Sequence, residues 1–199
     1  MHKVFISYHH ANDQAYKDGL TQFNTQHRIF IDGSGDTREI SDALTDEQIR
    51  TTIRDDYLAD STVTIVLVGT ETKNRKHVDW EMYSSMHDGP VNKKSGIVVI
   101  VLPTISSTYF TAAHAEEKSI LYPEVTSWTS ITERSVYEER YPDLPARIID
   151  NLLAPNAKVS VAPWGRCTPS GLAALIEYAH RDRATCEYDL SRPMRRANY

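Results

Sequence analysis

The chain has 199 residues, 40% hydrophobic and 25% charged, the proportions of a soluble globular protein with a full core. A net charge of −5 supplies no field for nucleic acid or an anionic membrane, and no apolar run approaches the roughly 20 residues of a membrane span. Cys167 and Cys186 lack metal-ligand spacing and the chain opens on a strand-like run rather than a leader, so a cytoplasmic protein with reduced thiols is expected.

Lys3-Val4-Phe5-Ile6-Ser7 reads as a first strand, ending at Tyr8-His9-His10, with Asn12 and Asp13 as available helix caps. Ala15, Tyr16, Leu20 and Phe23 then mark an amphipathic helix from Ala11 to about Gln26. Arg28-Ile29-Phe30-Ile31 predicts a second strand, which empties into the Gly- and Asp-rich loop Asp32-Gly33-Ser34-Gly35-Asp36. Thr45 with Gln48 is a capping box, opening a helix through Ile49, Ile53 and Tyr57 to Asp60.

Val63 to Val68 and Gly96 to Leu102 are continuous apolar runs, the pattern of parallel strands covered on both faces. Between them the sequence predicts a helix from about Thr70 to Asp88, closed by Gly89-Pro90. Irregular sequence from Thr104 to about Pro142 is too long for a plain connection and reads as an insertion. A short helix over Asp143 to Leu153 and a last strand over Lys158 to Val161 follow. Thr168-Pro169 then opens a final helix with Leu172, Leu175, Ile176 and Ala179 as its apolar stripe. Residues 1–186 are expected to form a single domain, and 187–199 a polar tail, frayed or docked late.

Five strands with intervening helices predict an α/β, flavodoxin-like three-layer sandwich around a central parallel sheet. That scaffold hosts many functions, so the site must decide. The third strand ends in Val68-Gly69-Thr70 without the Asp of a phosphoacceptor receiver. Ser7-Tyr8-His9-His10 is neither a flavin phosphate loop nor a Walker loop. What stands out is Asn74-Arg75-Lys76-His77-Val78-Asp79-Trp80-Glu81, a helix opening behind a buried strand that ends in Gly. Its first turns lie at the carboxyl edge of the sheet, where open α/β folds bind ligands.

Val4-Phe5-Ile6-Ser7-Tyr8-His9 resembles the first box of TIR domains, in the His-bearing form of the TIR-like ThsB proteins of Thoeris antiphage defence. The run Thr64 to Gly69, the turn Asn74-Arg75-Lys76 and the pair Trp80-Glu81 resemble that family's third strand and following helix. The likeness covers roughly the first hundred residues, and the insertion has no counterpart in it. It implies cleavage of NAD at the nicotinamide glycosidic bond, giving ADP-ribose or a cyclic ADP-ribose-type signal. NAD is then a substrate and no cofactor is implied. The likeness also implies self-association through TIR surfaces and a downstream effector that senses the nucleotide product. It aligns Asp32 and Asp36 with the BB loop that gates or mediates TIR contacts, and it favours His9 over His10 as the histidine facing the site. Two adjacent histidines on extended backbone point apart, so at most one is expected there.

At about 100° per residue, Val78, Met82, Ser85 and Met86 form the core stripe of the helix, and Glu81 falls on its flank beside His77 and Asn74. A flank carboxylate, partly desolvated beside a cleft, can stabilise the oxocarbenium-like ribose left by nicotinamide. Glu81 is therefore the expected catalytic residue. Phe5, Ser7, Tyr8, His9, Asp36, Asn74 and His77 are the expected substrate contacts, with no metal ligand set. Each has a plainer reading: Glu81 as a solvated carboxylate paired with Lys76, Arg75 or His77, Phe5 as strand core, Asp36 as a solvated loop acid. Trp80 and Tyr83 are expected to pack between helices or against another subunit. Two further function classes keep the same scaffold: a TIR module that only assembles, and a sensor that binds NAD-like nucleotides without cleaving them.

Overall fold

In the computed structural model, which describes residues 1–34, 40–41, 43–90 and 92–199, the apolar runs assemble into one parallel sheet. Its strands are β1 (Lys3–Ser7), β2 (Ile31–Asp32), β3 (Val63–Val68), β4 (Gly96–Val101) and β5 (Val159–Pro163), in the order β2-β1-β3-β4-β5. This is the flavodoxin-like order. It reverses between β1 and β3, where such sheets open a crevice at their carboxyl ends. Every residue of β3 and β4 is buried, as the continuous apolar runs require of strands covered on both faces.

Helices α1 (His10–His27), α4 (Ala115–Leu121) and α7 (Pro169–Asp182) cover one face, packing Leu20, Leu121, Leu172 and Ile176 against Ile6, Ile65, Val98 and Ile100. On the other face lie α2 (Asp46–Thr52), α3 (Lys76–Met86), α5 (Arg134–Arg140) and α6 (Ala146–Leu153). There Val78, Met82, Tyr137 and Ile148 meet Val66, Val99 and Val161, while Ile49 and Trp80 close over Phe5. A Cβ on Gly96 would stand 2.2 Å from the Ala179 carbonyl oxygen, so glycine at the start of β4 lets α7 seat directly on the sheet.

Local chemistry explains most boundaries. The Thr45–Gln48 capping box forms in both directions, with Gln48 N to Thr45 Oγ1 at 3.2 Å and Thr45 N to Gln48 Oε1 at 2.9 Å. Its α-helix ends at Thr52 and continues as a π-helical turn over Ile53–Tyr57, short of Asp60. The second strand is shorter than its sequence suggests. Arg28 takes a left-handed φ of 52°, and the Asn24 amide accepts from Ile29 N and Phe30 N while donating to Phe30 O. Residues 28–30 therefore wrap a side chain, and among the described residues the register with β1 covers Ile31 and Asp32. Asn12 and Asp13 are not caps: α1 begins at His10, behind His9.

The helix expected from Thr70 is broken. A 3-10 turn over Thr72–Asn74 ends at Arg75, whose extended backbone (φ −95°, ψ 118°) restarts the chain as α3. Residues 104–142 carry α4 and α5, and Thr111 bridges Val161 antiparallel with paired hydrogen bonds of 2.9 and 2.8 Å. That bridge covers the outer edge of β5. The tail is firmly seated: Met194 is buried with Phe5, Ile49 and Trp80, and Trp80 Nε1 donates to Arg195 O at 2.7 Å. Among the described residues no helix is long and apolar enough to cross a membrane.

Candidate active site

Alternation along β1 sends Val4 and Ile6 to the α1–α7 face and Phe5 and Ser7 to the α3 face. Ser7 is the last residue of the strand, paired with Val66, and its hydroxyl reaches α3. There Ser7 Oγ donates to Glu81 Oε2 at 2.5 Å. Both side chains lie in the interior, Glu81 at 2% exposure. The flank position expected for Glu81 is thus covered rather than half open. The sheet, α2, α6 and the docked tail surround α3 so fully that Val78 through Met82 are all buried.

A cleft of about 360 Å³ opens one helical turn before Glu81, at the carboxyl end of β1. Tyr8, His9 and His10 wall it from the β1–α1 junction, and Arg75, His77 and Val78 from the start of α3. Both histidines line it, against the expectation of one. The backbone is not a strand there: His9 is the extended residue before α1 and His10 its first helical residue, so the alternation that would separate the rings has already ended. Tyr8 Oη donates to Gln14 Oε1 at 2.7 Å, and its ring lies 4.2 Å from that of His10.

Burial, and next the neighbouring Arg75 guanidinium, push the His9 imidazole below its ordinary value, so it is neutral at pH 7. Its buried Nδ1 finds no protein partner among the described residues, and neither does the buried Nε of Arg75. Arg75 Nη2 is held by Glu71 Oε2 at 3.2 Å. The cleft therefore offers a neutral imidazole and a cation to an incoming polar group, and the buried Glu81 carboxylate lies one turn further along α3, outside the wall. Its remaining wall is Asn198, whose Oδ1 accepts from Lys76 N at 2.8 Å. Arg75 caps the first turn of α3 with no side-chain bond, so an asparagine from the distant tail satisfies one of its free N–H groups.

In the first turn of α1, Asp13 is 2% exposed, and burial pushes its carboxyl above the ordinary range. Thr72 Oγ1 donates to it at 3.3 Å. A Cβ on Gly69 would fall 2.6 Å from the same carboxylate, so the Gly that ends β3 admits Asp13 beneath the turn leading to α3.

Of the residues expected at the site, Glu81 and Ser7 are joined to each other in the interior and are not part of the cleft wall, while Tyr8, His9 and His77 line the cleft. Phe5 does not: it is 1% exposed in the core against Trp80, its plainer reading. Asn74 ends the 3-10 turn and is not part of the cleft wall, because the break at Arg75 removes it from the flank of α3. Asp36 lies outside the described residues. Sequence reasoning passed over Arg75 and Asn198 as site residues. Arg75 belongs to the Asn74-Arg75-Lys76 turn, where its guanidinium reads as a surface partner for Glu81, whereas nothing local marks Asn198. Among the described residues no three His, Cys, Asp or Glu side chains converge as metal ligands would.

The family described as Thoeris protein ThsB, TIR-like domain, matches residues 5–107, just over half of the chain. The chain belongs to this family. The match runs from β1 through β4 and contains Ser7, the cleft residues of the β1–α1 junction, Arg75 and Glu81. The 104–142 segment beyond Ser107, α6, β5, α7 and the tail with Asn198 lie outside it. No curated protein matches the chain.

Proposed function

We propose that this Thoeris-type TIR-like protein cleaves NAD, releasing nicotinamide and leaving ADP-ribose or a cyclic ADP-ribose-type signal for a downstream effector. The observation that carries the reading is the buried Ser7–Glu81 pair at the switch point of the sheet, one helical turn beyond a cleft walled by His9, Arg75 and His77. Nicotinamide leaves with the electron pair of its glycosidic bond, and being already cationic in NAD it needs no general acid. The ribose left behind gains positive charge. A preorganised carboxylate shielded from water stabilises that charge far better than an exposed one. Ser7 orients the carboxylate, His9 and His77 contact the ribose side, and Arg75 takes a phosphate. Water or an internal nucleophile then closes on the ribose carbon, which separates hydrolysis from cyclisation. Self-association through TIR surfaces belongs to the same reading.

Incubation with NAD, with nicotinamide followed by chromatography and the second product by mass spectrometry, tests it. Glu81→Gln keeps an acceptor for Ser7 and the shape of the side chain, so its melting temperature should stay near that of the parent. Nicotinamide release should fall about 100-fold or more, the cost of losing a preorganised electrostatic contact. Near-normal release from Glu81→Gln would remove Glu81 from the chemistry. NAD binding without turnover, even in self-assembled protein, would instead favour a nucleotide sensor, and the absence of both binding and turnover a scaffold.

A further inference from the structure

A second cleft, of about 460 Å³, lies outside β5 at the edge of the sheet opposite β2, beyond the family match. Its walls are residues 108–112, the 125–131 loop and α5. Aromatic rings build it. Phe110 stacks on Tyr122 at 4.0 Å and 9°, and Trp128 meets both edge-on, at 5.7 and 5.6 Å. Tyr109, 46% exposed, stands edge-on to Tyr141 at 6.0 Å. Phe110 and Trp128 are themselves only partly buried, which leaves ring surface available to a ligand.

Two cations complete the walls. Lys118 Nζ sits 4.8 Å from the centre of the Trp128 ring, and Arg140 Cζ 5.0 Å from that of Tyr109. Among the described residues neither has a carboxylate within 4.0 Å and no acidic side chain lines the cleft, although the chain as a whole carries −5. Arg134, at the other end of α5, shows the contrast: it pairs with both Glu138 and Asp150. Hydroxyls finish the lining, with Thr111 Oγ1 and Tyr141 Oη 3.1 Å apart.

We propose that this cleft is a second ligand site, for a planar aromatic anion of the nucleoside monophosphate class. Its volume falls within the roughly 300–1,000 Å³ of small-molecule pockets. Flat rings stack nucleobases with little regard to base identity, because every base has a π-face. Unneutralised Lys and Arg side chains are the usual partners of a phosphate. A neutral sugar would use the rings and waste the cations; inorganic phosphate would do the reverse. The combination selects a ligand that carries both. The proposal does not depend on turnover at Glu81.

Calorimetric titration of the whole chain with AMP and UMP, and separately with adenosine and inorganic phosphate, tests it. One site is expected for both nucleotides, with adenosine and phosphate each at least about tenfold weaker. Arg140→Gln and Lys118→Gln should each weaken AMP binding about tenfold while leaving the melting temperature unchanged, since both side chains lie at the surface of the cleft. Glu81→Gln and His9→Ala should leave it intact. The proposal is overturned if neither nucleotide binds up to about 5 mM, if both charge variants bind as the parent does, or if His9→Ala abolishes binding and so assigns it to the first cleft.

Discussion

On the α3 face of the sheet, Asp79 takes a forked guanidinium: Arg147 Nε to Oδ1 at 2.8 Å and Nη2 to Oδ2 at 3.0 Å, with Arg195 N adding 2.8 Å to Oδ2. On the α7 face, Glu117 meets no Lys or Arg among the described residues. Ser160 Oγ lies 2.7 Å from both of its oxygens, and His114 Nε2 stands 3.9 Å away. Both junctions are buried and both fasten later chain to the sheet: Arg147 also holds Arg192 O and Pro193 O, while Glu117 and His114 tie α4 to β5 and to Asp182 of α7. The first is an ion pair of opposite partners. In the second, burial pushes the Glu117 carboxyl up to about 7 and the His114 imidazole down, so the pair sits near neutrality by losing charge. Burial on both faces thus gives one junction that is sensitive to substitution and another that is sensitive to pH.

The first junction breaks by removing one partner. Arg147→Ala leaves Asp79 buried without its guanidinium and frees the carbonyls of residues 192 and 193, so a loss of about 3–5 kcal/mol is expected in urea unfolding. Because Met194 and Asn198 are held by the same stretch of tail, faster hydrogen exchange should follow at the Trp80 indole Nε1–H and the Lys76 amide. A loss below about 1 kcal/mol would mean that the tail is held by Met194 burial and not by the ion pair.

The second junction answers to pH. Between its ordinary value of 4.5 and about 7, folded Glu117 keeps a proton that the unfolded chain releases. Its contribution is therefore complete below about 4.5, declines as pH rises through that window, and levels off above about 7. Glu117→Gln mimics the protonated acid and can still accept from Ser160. At pH 5 its stability should be close to that of the parent, and at pH 8 about 1–3 kcal/mol higher. Equal differences at the two pH values would show that Glu117 is ionised in the fold. Ser160, His114, Asp182, Lys158 and Arg181 are the polar groups at this junction, and none changes in the variant.

These junctions mark where sequence reading ends. The strands β1, β3 and β4, the Thr45–Gln48 box and the Thr168–Pro169 start of α7 are written in local order. In α7, Gly171 N donates to Thr168 Oγ1 at 3.1 Å as a helix cap should. Glu81 was legible for the same reason, as a carboxylate early in the helix behind an apolar strand. Its burial was not, because helical periodicity assigns a flank to solvent unless a further layer is known. That layer is the tail, joined to α3 through Arg147, which is 68 residues from Asp79. Local patterning also hid the break at Arg75 and the wrapping of residues 28–30 around Asn24, where one side chain outcompetes the backbone ladder. The polar composition of 187–199 suggests a tail frayed or docked late, yet much of its anchoring uses backbone carbonyls and N–H groups that composition cannot display.

The smallest effect should come from the rim of the second junction. Lys158 Nζ lies 2.7 Å from Asp182 Oδ2, but its side chain is 43% exposed and Asp182 is also held by Arg181 and His114. An exposed cation that shares its carboxylate contributes little, so Lys158→Ala should cost under about 1 kcal/mol, and less at high salt. The nearby ammonium helps keep the His114 imidazole below its ordinary value. Removing it should therefore raise the pH at which His114 titrates, readable from its imidazole resonances. A small stability change with an upward shift would mean that charge at Asp182 is spread over three donors. A cost above about 2 kcal/mol would mean that Lys158 alone neutralises Asp182, and the second junction would then resemble the matched pair on the opposite face.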